Sequence, residues 1–343
     1  MKRFALALLL LLLPILLNLP PTATPQTRER TIGPRRAESE IKPAEIIKTD
    51  VDLVNVDALV LRKNTSRVVG DLAREDFIIS EDGVNQSITH FSQDRLPLSV
   101  LLLIDRGGCL DPFGDEVRHA AMSALSELKP VDEVAVMTYH DTVELRQGFT
   151  NDRRVIAHTL DYVPPHDERA NHCLDTAFDA AADYMNKAAN PVGRRVVIAI
   201  TGVTRNFDCP GSPSGKAATM SIFESGSVVC AIVPKTPAQA MENGMMTWAT
   251  RIGRVGGVNT LDIQKLADET GGELLKDRPE ELDKTFATLI EHLRTRYNMA
   301  FVSSNKKRDG SLRKLKVELA EATKKKQDKL VVKARKNYVA PKG

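Results

Sequence analysis

The apolar run "LLLID" ends at Asp105, and the residues behind it, "RGGCL", place Gly107 and Cys109 within reach of that carboxylate. Further along, His172 and Cys173 stand side by side in "RANHCLDTAFDAA", Gly202 follows the run "VVIAIT", and Cys209 lies just beyond it. A carboxylate, an imidazole and three thiols allow three kinds of chemistry. Thiolate and imidazole suit a soft ion such as Zn²⁺ or copper. A thiol near a histidine can serve as a nucleophile. In an oxidising compartment, thiols pair as disulfides. The spacing lacks the regularity of a zinc site, with no C-x-x-C and no H-x-x-x-H. Neither a G-x-S-x-G elbow, a glycine-rich phosphate loop nor a zinc-protease helix is present, and "GRVGGV" at 253–258 has no strand before it. The chain therefore reads as a non-enzyme.

These side chains meet only if the fold brings three loops together. From 97 to 303 the sequence shows short continuous apolar runs separated by amphipathic segments, the pattern of a parallel sheet covered on both faces. Strands are expected at 99–104, 133–139, 195–201 and 227–233, and helices at 115–128, 153–160, 174–186, 261–269 and 280–295. In such a doubly wound α/β sheet, ligands sit beyond the carboxyl ends of the strands. That rule gathers 105–109, the loop before Leu174 and the loop after Thr201 at one edge. Cys230, inside "SVVCAIV", is expected to be a buried small hydrophobe.

On either side the pattern changes. Between 48 and 94, Val54, Val56, Ala58 and Val60 alternate with other side chains, and Asp82-Gly83 makes a tight turn, so a small β module is expected there. "RYNMAFVSS" could close the α/β sheet as an edge strand. The basic strands of 304–343 are expected to return to the β module as a sandwich-like unit, because few strands bury little alone.

The 343 residues, 42% hydrophobic and 27% charged with a net charge of +3, have the composition of a globular protein with a sizeable core. Lys2 and Arg3 precede an apolar run from 4 to 17, which reads as a secretory signal peptide over 1–23 followed by a flexible spacer over 24–47. An uncleaved anchor is the alternative. Export implies a periplasmic or extracellular protein with no membrane span in the mature chain. Sparse aromatic content offers no stacking platform for nucleic acid. The lysine-rich end, including Lys324 to Lys326, reads as solvated strand faces and turns, or alternatively as a surface attracted to anionic polymer.

The stretches "VDLVNVDALVLRKN", "LAREDFIISEDGVNQSITHFSQDRLPLSVLLLID", "DEVAVMTYHDTVELRQGFTND" and "VVKARKNYVAP" resemble the von Willebrand factor type A domain proteins, and in particular the exported VWFA-related proteins of acidobacteria. The resemblance spans about 48 to 341 and implies a VWA/Rossmann-like fold. It also implies a metal-ion-dependent adhesion site built from D-x-S-x-S, a threonine and an aspartate on three loops. Here Asp105 matches the first position, Gly107 and Cys109 replace the serines, His172 replaces the threonine, and Gly202 replaces the aspartate. A cation that wants six oxygens would be held weakly by one carboxylate, so no metal or other cofactor is expected. Weak Mg²⁺, a soft metal, or a slipped register using Asp175, Thr176 and Asp208 are the alternatives. A disulfide joining Cys109 or Cys173 to Cys209 is expected to staple loops that a metal once tied. Without a cation, Asp105 would cap the first helix, pair with Arg106 or Arg205, or accept N–H bonds from its own glycine loop. The expected function is noncatalytic adhesion to another envelope or extracellular protein through the edge formed by Asp105, Gly107, Cys109, His172 and Gly202. Envelope assembly through the basic end and a thiol-dependent enzyme are the alternatives.

Overall fold

The computed structural model describes residues 53–343 except 109–112, 192, 206–208, 236–240, 242–243, 245–247, 249–260 and 327–328. The signal-peptide and spacer readings, Cys109 and Asp208 fall outside these residues.

The long apolar runs become the centre of a six-stranded sheet. Its strands are β5 (Leu98–Asp105), β6 (Glu133–Tyr139), β7 (Val143–Thr150), β8 (Arg194–Ile200), β9 (Val228–Pro234) and β10 (Leu274–Asp277), in the order β10-β9-β8-β5-β6-β7. All neighbours are parallel except β7, which turns back antiparallel on β6. Every residue of β5, β6 and β9 is buried, as two covered faces require. Helices α1 (Asp115–Leu125), α2 (Arg153–Asp161) and α6 (Leu282–Arg294) cover one face. Helices α3 (Leu174–Met185), α4 (Gly215–Ser225) and α5 (Ile263–Thr270) cover the other. Helix α5 stops where the glycine pair predicts: Gly271 adopts φ +79° and its N–H caps the Ala267 carbonyl.

The remaining strands form two four-stranded sheets. One runs β13 (Leu330–Ala334), β1 (Leu53–Arg62), β11 (Tyr297–Val302), β4 (Ile88–Ser92). The other runs β14 (Asn337–Val339), β12 (Leu312–Leu319), β2 (Phe77–Glu81), β3 (Val84–Gln86). Both feed one core containing Val56, Val60, Phe77, Ile79, Phe301 and Leu315. Asp82 (φ +47°) and Gly83 (φ +87°) make the β2–β3 turn, a left-handed pair that matches hairpin twist.

One expectation is corrected here. Tyr297–Val302 does not close the α/β sheet; it pairs antiparallel with β1 and β4. Its alternate residues Tyr297, Met299 and Phe301 fill the module core. The Tyr297 ring lies 4.8 Å from Phe77 and 5.7 Å from Phe91, and its hydroxyl donates to the Val69 carbonyl at 2.8 Å. In the basic end, α7 (Glu321–Lys326) lies between β12 and β13. That turn is pinned at its start by the Ala320 N–H on the Asp76 carbonyl (2.8 Å) and by the Thr323 hydroxyl on the Asp76 carboxylate.

Candidate functional site

Register alone brings the key residues to one edge. Strand β5 lies between β6 and β8, with Ile104 opposite Ile200 and Asp105 opposite Tyr139. Asp105 and Thr201 therefore emerge side by side at the carboxyl end of the sheet.

The carboxylate of Asp105 is fully buried and accepts three hydrogen bonds. Oδ1 takes the Gly107 N–H at 3.0 Å; Oδ2 takes the Thr201 hydroxyl at 2.7 Å and faces His172 Nδ1 at 2.8 Å. A carboxylate only accepts, so Nδ1 carries the proton between them. The Tyr139 hydroxyl is buried beside the same carboxylate. Burial, and then the negative charge of Asp105, push this phenol well above its usual pKa. The bond from its own glycine loop is among the expected partners of Asp105, whereas Arg106 and Arg205 are not its partners. The Arg106 guanidinium reaches the Pro164 and Pro165 carbonyls at 3.0–3.2 Å. Arg205 pairs with Asp262.

The first two loops touch through their backbones. Asp167 N–H donates to the Arg106 carbonyl at 2.7 Å, and Gly108 N–H to the Ala170 carbonyl at 2.9 Å. Glycine makes this approach possible: a Cβ on Gly107 would sit 2.4 Å from the Asn171 carbonyl oxygen. A Cβ on Gly108, whose φ is +82°, would sit 2.2 Å from His172 Nε2. The second loop is anchored further by Asn171, whose N–H and Nδ2 donate to Asp141 Oδ1 at 3.1 and 2.7 Å. Those Asn171 bonds hold the Asp141 carboxyl below the usual range.

The third loop is tied to the second by a disulfide between Cys173 and Cys209, with Cα atoms 5.7 Å apart. The Thr176 and Ser212 hydroxyls bond alongside it at 2.6 Å. Of the two sequence alternatives for the Cys209 partner, Cys173 is the one found. Cys230 is buried in β9, and burial pushes its thiol to about 11. Gly202 is buried directly after Thr201. Asp175, offered as a slipped-register ligand, instead accepts the Leu261 N–H at 3.1 Å.

Among the described residues the donor set does not fit an octahedral Mg²⁺ cage. Asp105 has spent its oxygens on protein donors, positions 107 and 202 supply no side-chain oxygen, and a serine at 107 would collide with the second loop. Among the described residues no group of three or more His, Cys, Asp or Glu is placed to hold a metal ion. Gly107→Ser is expected to lower stability by about 1–3 kcal/mol through this collision. An unchanged urea midpoint would show that the loops part freely.

Sequence reasoning missed Thr201, Tyr139, Asp141 and Asn171. Thr201 was recoverable, because it directly follows the strand beside β5, level with Asp105 at the end of β5.

Residues 100–204 match the family model of the von Willebrand factor type A domain. The chain carries a von Willebrand factor type A domain. The matched segment holds Asp105, Gly107, His172 and Thr201. No curated protein sequence matches the chain. Among solved structures, BatB from Bacteroides thetaiotaomicron aligns at 14% identity and TM-score 0.40, covering 57% of this chain and 98% of its own. An aerotolerance-related membrane protein from Bacteroides fragilis aligns at 13% and 0.39, with 57% and 98% covered. The mussel byssus proximal thread matrix protein 1, with a zinc-occupied MIDAS motif, aligns at 13% and 0.44, covering 63% of this chain and 50% of that one. The described residues of the von Willebrand factor type A domain and of the β module belong to one compact unit. Among the described residues no helix is long and apolar enough to cross a membrane. The disulfide points to a non-reducing compartment.

Proposed function

We propose that the chain is an exported, noncatalytic recognition module that presents the edge formed by its three loops to another envelope or extracellular protein, without a divalent cation. One observation carries this reading. The Asp105 carboxylate is satisfied by Gly107, Thr201 and His172, and the first two loops are closed on each other over a pair of glycines. Such an edge offers a preformed surface that needs no ion to complete it. Arg169, Asn171 and Asp141 are exposed on it.

The thiol-enzyme alternative would use Cys109, which lies outside the described residues, as its nucleophile; of the described cysteines, Cys173 and Cys209 are joined and Cys230 is buried with a raised pKa. Attachment through the basic end is also less supported. Lys316, Lys324 and Lys333 are already paired with Glu318, Glu321 and Glu273.

The test is a cation titration followed by capture. A site holding Mg²⁺ at a hundredfold excess over its Kd would gain about 2.7 kcal/mol of stability. The expected result is a melting temperature unmoved by Mg²⁺, Mn²⁺ or EDTA. Partner capture from an envelope fraction is expected to be equal with and without EDTA and lost in Arg169→Glu. Capture abolished by EDTA would overturn the reading.

A further inference from the structure

We propose that the Cys173–Cys209 bond is a thiol-exchangeable latch, opened by an external dithiol to free the third loop from the second. The idea that opening changes recognition rests on the function proposed above; the latch itself does not.

Position is the first argument. Cys173 directly follows His172, the residue against Asp105, and precedes Leu174, where α3 begins. Cys209 lies on the loop that follows Thr201, the hydroxyl donor to the same carboxylate. The bond thus ties the loop that carries His172 to the loop that follows Thr201. Its two ends are unequal: Cys173 is 2% exposed, whereas Cys209 is half-buried next to an exposed Pro210. An incoming thiolate therefore reaches the Cys209 end.

The reduced state also has a place for the released sulfur. Asp141 Oδ1 lies 3.9 Å from Cys173 Sγ, so a Cys173 thiol has a carboxylate acceptor beside it. Besides the disulfide, the Thr176–Ser212 hydroxyl pair links the third loop to α3, and the Arg205–Asp262 ion pair and the Ile263 N–H on the Thr204 carbonyl at 3.1 Å link it to the start of α5, each of them non-covalent. Strand β8 and helix α3 keep their own sheet and core contacts, so opening the bond loosens the edge and leaves the domain folded.

The chemistry balances as two exchanges. A dithiol thiolate attacks Cys209 Sγ, the S–S bond breaks, and the electron pair leaves on Cys173 Sγ, which takes up a proton. The second thiolate of the dithiol then attacks the mixed disulfide and releases Cys209, so the dithiol is oxidised by two electrons as the protein disulfide is reduced.

The experiment uses the full chain under native conditions with dithiothreitol as the probe, followed by alkylation, mass analysis and hydrogen exchange. Cys173 and Cys209 are expected to be alkylated without denaturant. Amide exchange in peptides covering 171–174 and 209–214 is expected to rise about tenfold while β5 and β8 stay protected. The Cys173→Ser/Cys209→Ser variant is expected to show the same pattern. A bond that opens only in denaturant, opens with unchanged exchange, or opens with loss of protection in β5 and β8 would overturn the latch. Partner capture by the oxidised chain is scored separately. Its failure counts against recognition at this edge and leaves the exchange result to decide the latch.

Discussion

Replacing Arg194 with alanine is expected to lower the stability of the folded chain by about 3–5 kcal/mol, because it strands a largely buried carboxylate. Arg194 opens β8 and is 4% exposed. Its guanidinium crosses from the α/β domain into the β module. Nε donates to Asp57 Oδ2 on β1 at 2.6 Å, Nη2 donates to Asn298 Oδ1 on β11 at 2.7 Å, and Nη1 donates to the Leu293 carbonyl at the end of α6. One side chain therefore joins three elements. Burial raises the Asp57 carboxyl, but Arg194, aided by Arg296 and Arg335, more than reverses that, so it titrates below its unfolded value of 3.8. A depressed carboxyl contributes stability that is complete above the unfolded pKa and disappears as pH falls through the lower folded one. The variant should accordingly show a flatter stability profile in the acid range below about pH 4. Urea unfolding measures both effects, and a loss under about 1 kcal/mol would refute the bridging role.

Arg313→Met is expected to cost a similar 3–5 kcal/mol or so, and the double variant Glu81→Gln/Arg313→Met to recover most of it. Glu81 and Arg313 are buried between the two sheets of the module, 2.9 Å apart. Ser303 donates to Glu81 Oε2 at 2.6 Å, and the Tyr338 hydroxyl donates to Oε1. Burial lifts the Glu81 carboxyl, and its bonds from Ser303, Tyr338 and Arg313 bring it below 4.5. Burial and the Glu81 bond push the Tyr338 phenol up to about 12. Removing only the cation leaves a charge in the core. Removing both charges leaves polar atoms that Ser303 and Tyr338 still satisfy. A double variant no more stable than the single one, measured by denaturant midpoint, would show that the pair is not coupled.

The parallel sheet was legible because its central strands are buried on both faces and so read as unbroken apolar runs. The expected 99–104 and 133–139 became Leu98–Asp105 and Glu133–Tyr139. Strand β7 was not seen, since as an edge strand it leaves most of "VELRQGFT" partly exposed. Helix α4 was missed as well. "GKAATMSIFES" carries only a weak apolar stripe, and its clearest signals are the Ser214 side-chain cap at the start and the left-handed Gly226 at the end. At the site, Asp105 and the convergence of three loops followed from sheet topology. The His172–Asp105 contact did not, because its partners are far apart in sequence and an arginine nearby looked equally suitable. The closure of the first loop on the second depends on how near two backbones come, which residue types announce only as a glycine pair.

Strand β1 finds both of its neighbours, β11 and β13, in the segment that follows the last helix of the α/β domain. During synthesis, that domain can complete its own sheet while β1 still waits for partners the ribosome has not yet made. Once folded, the domain holds the two distant segments near each other, so the module forms by short-range search and not by closing a long, floppy loop.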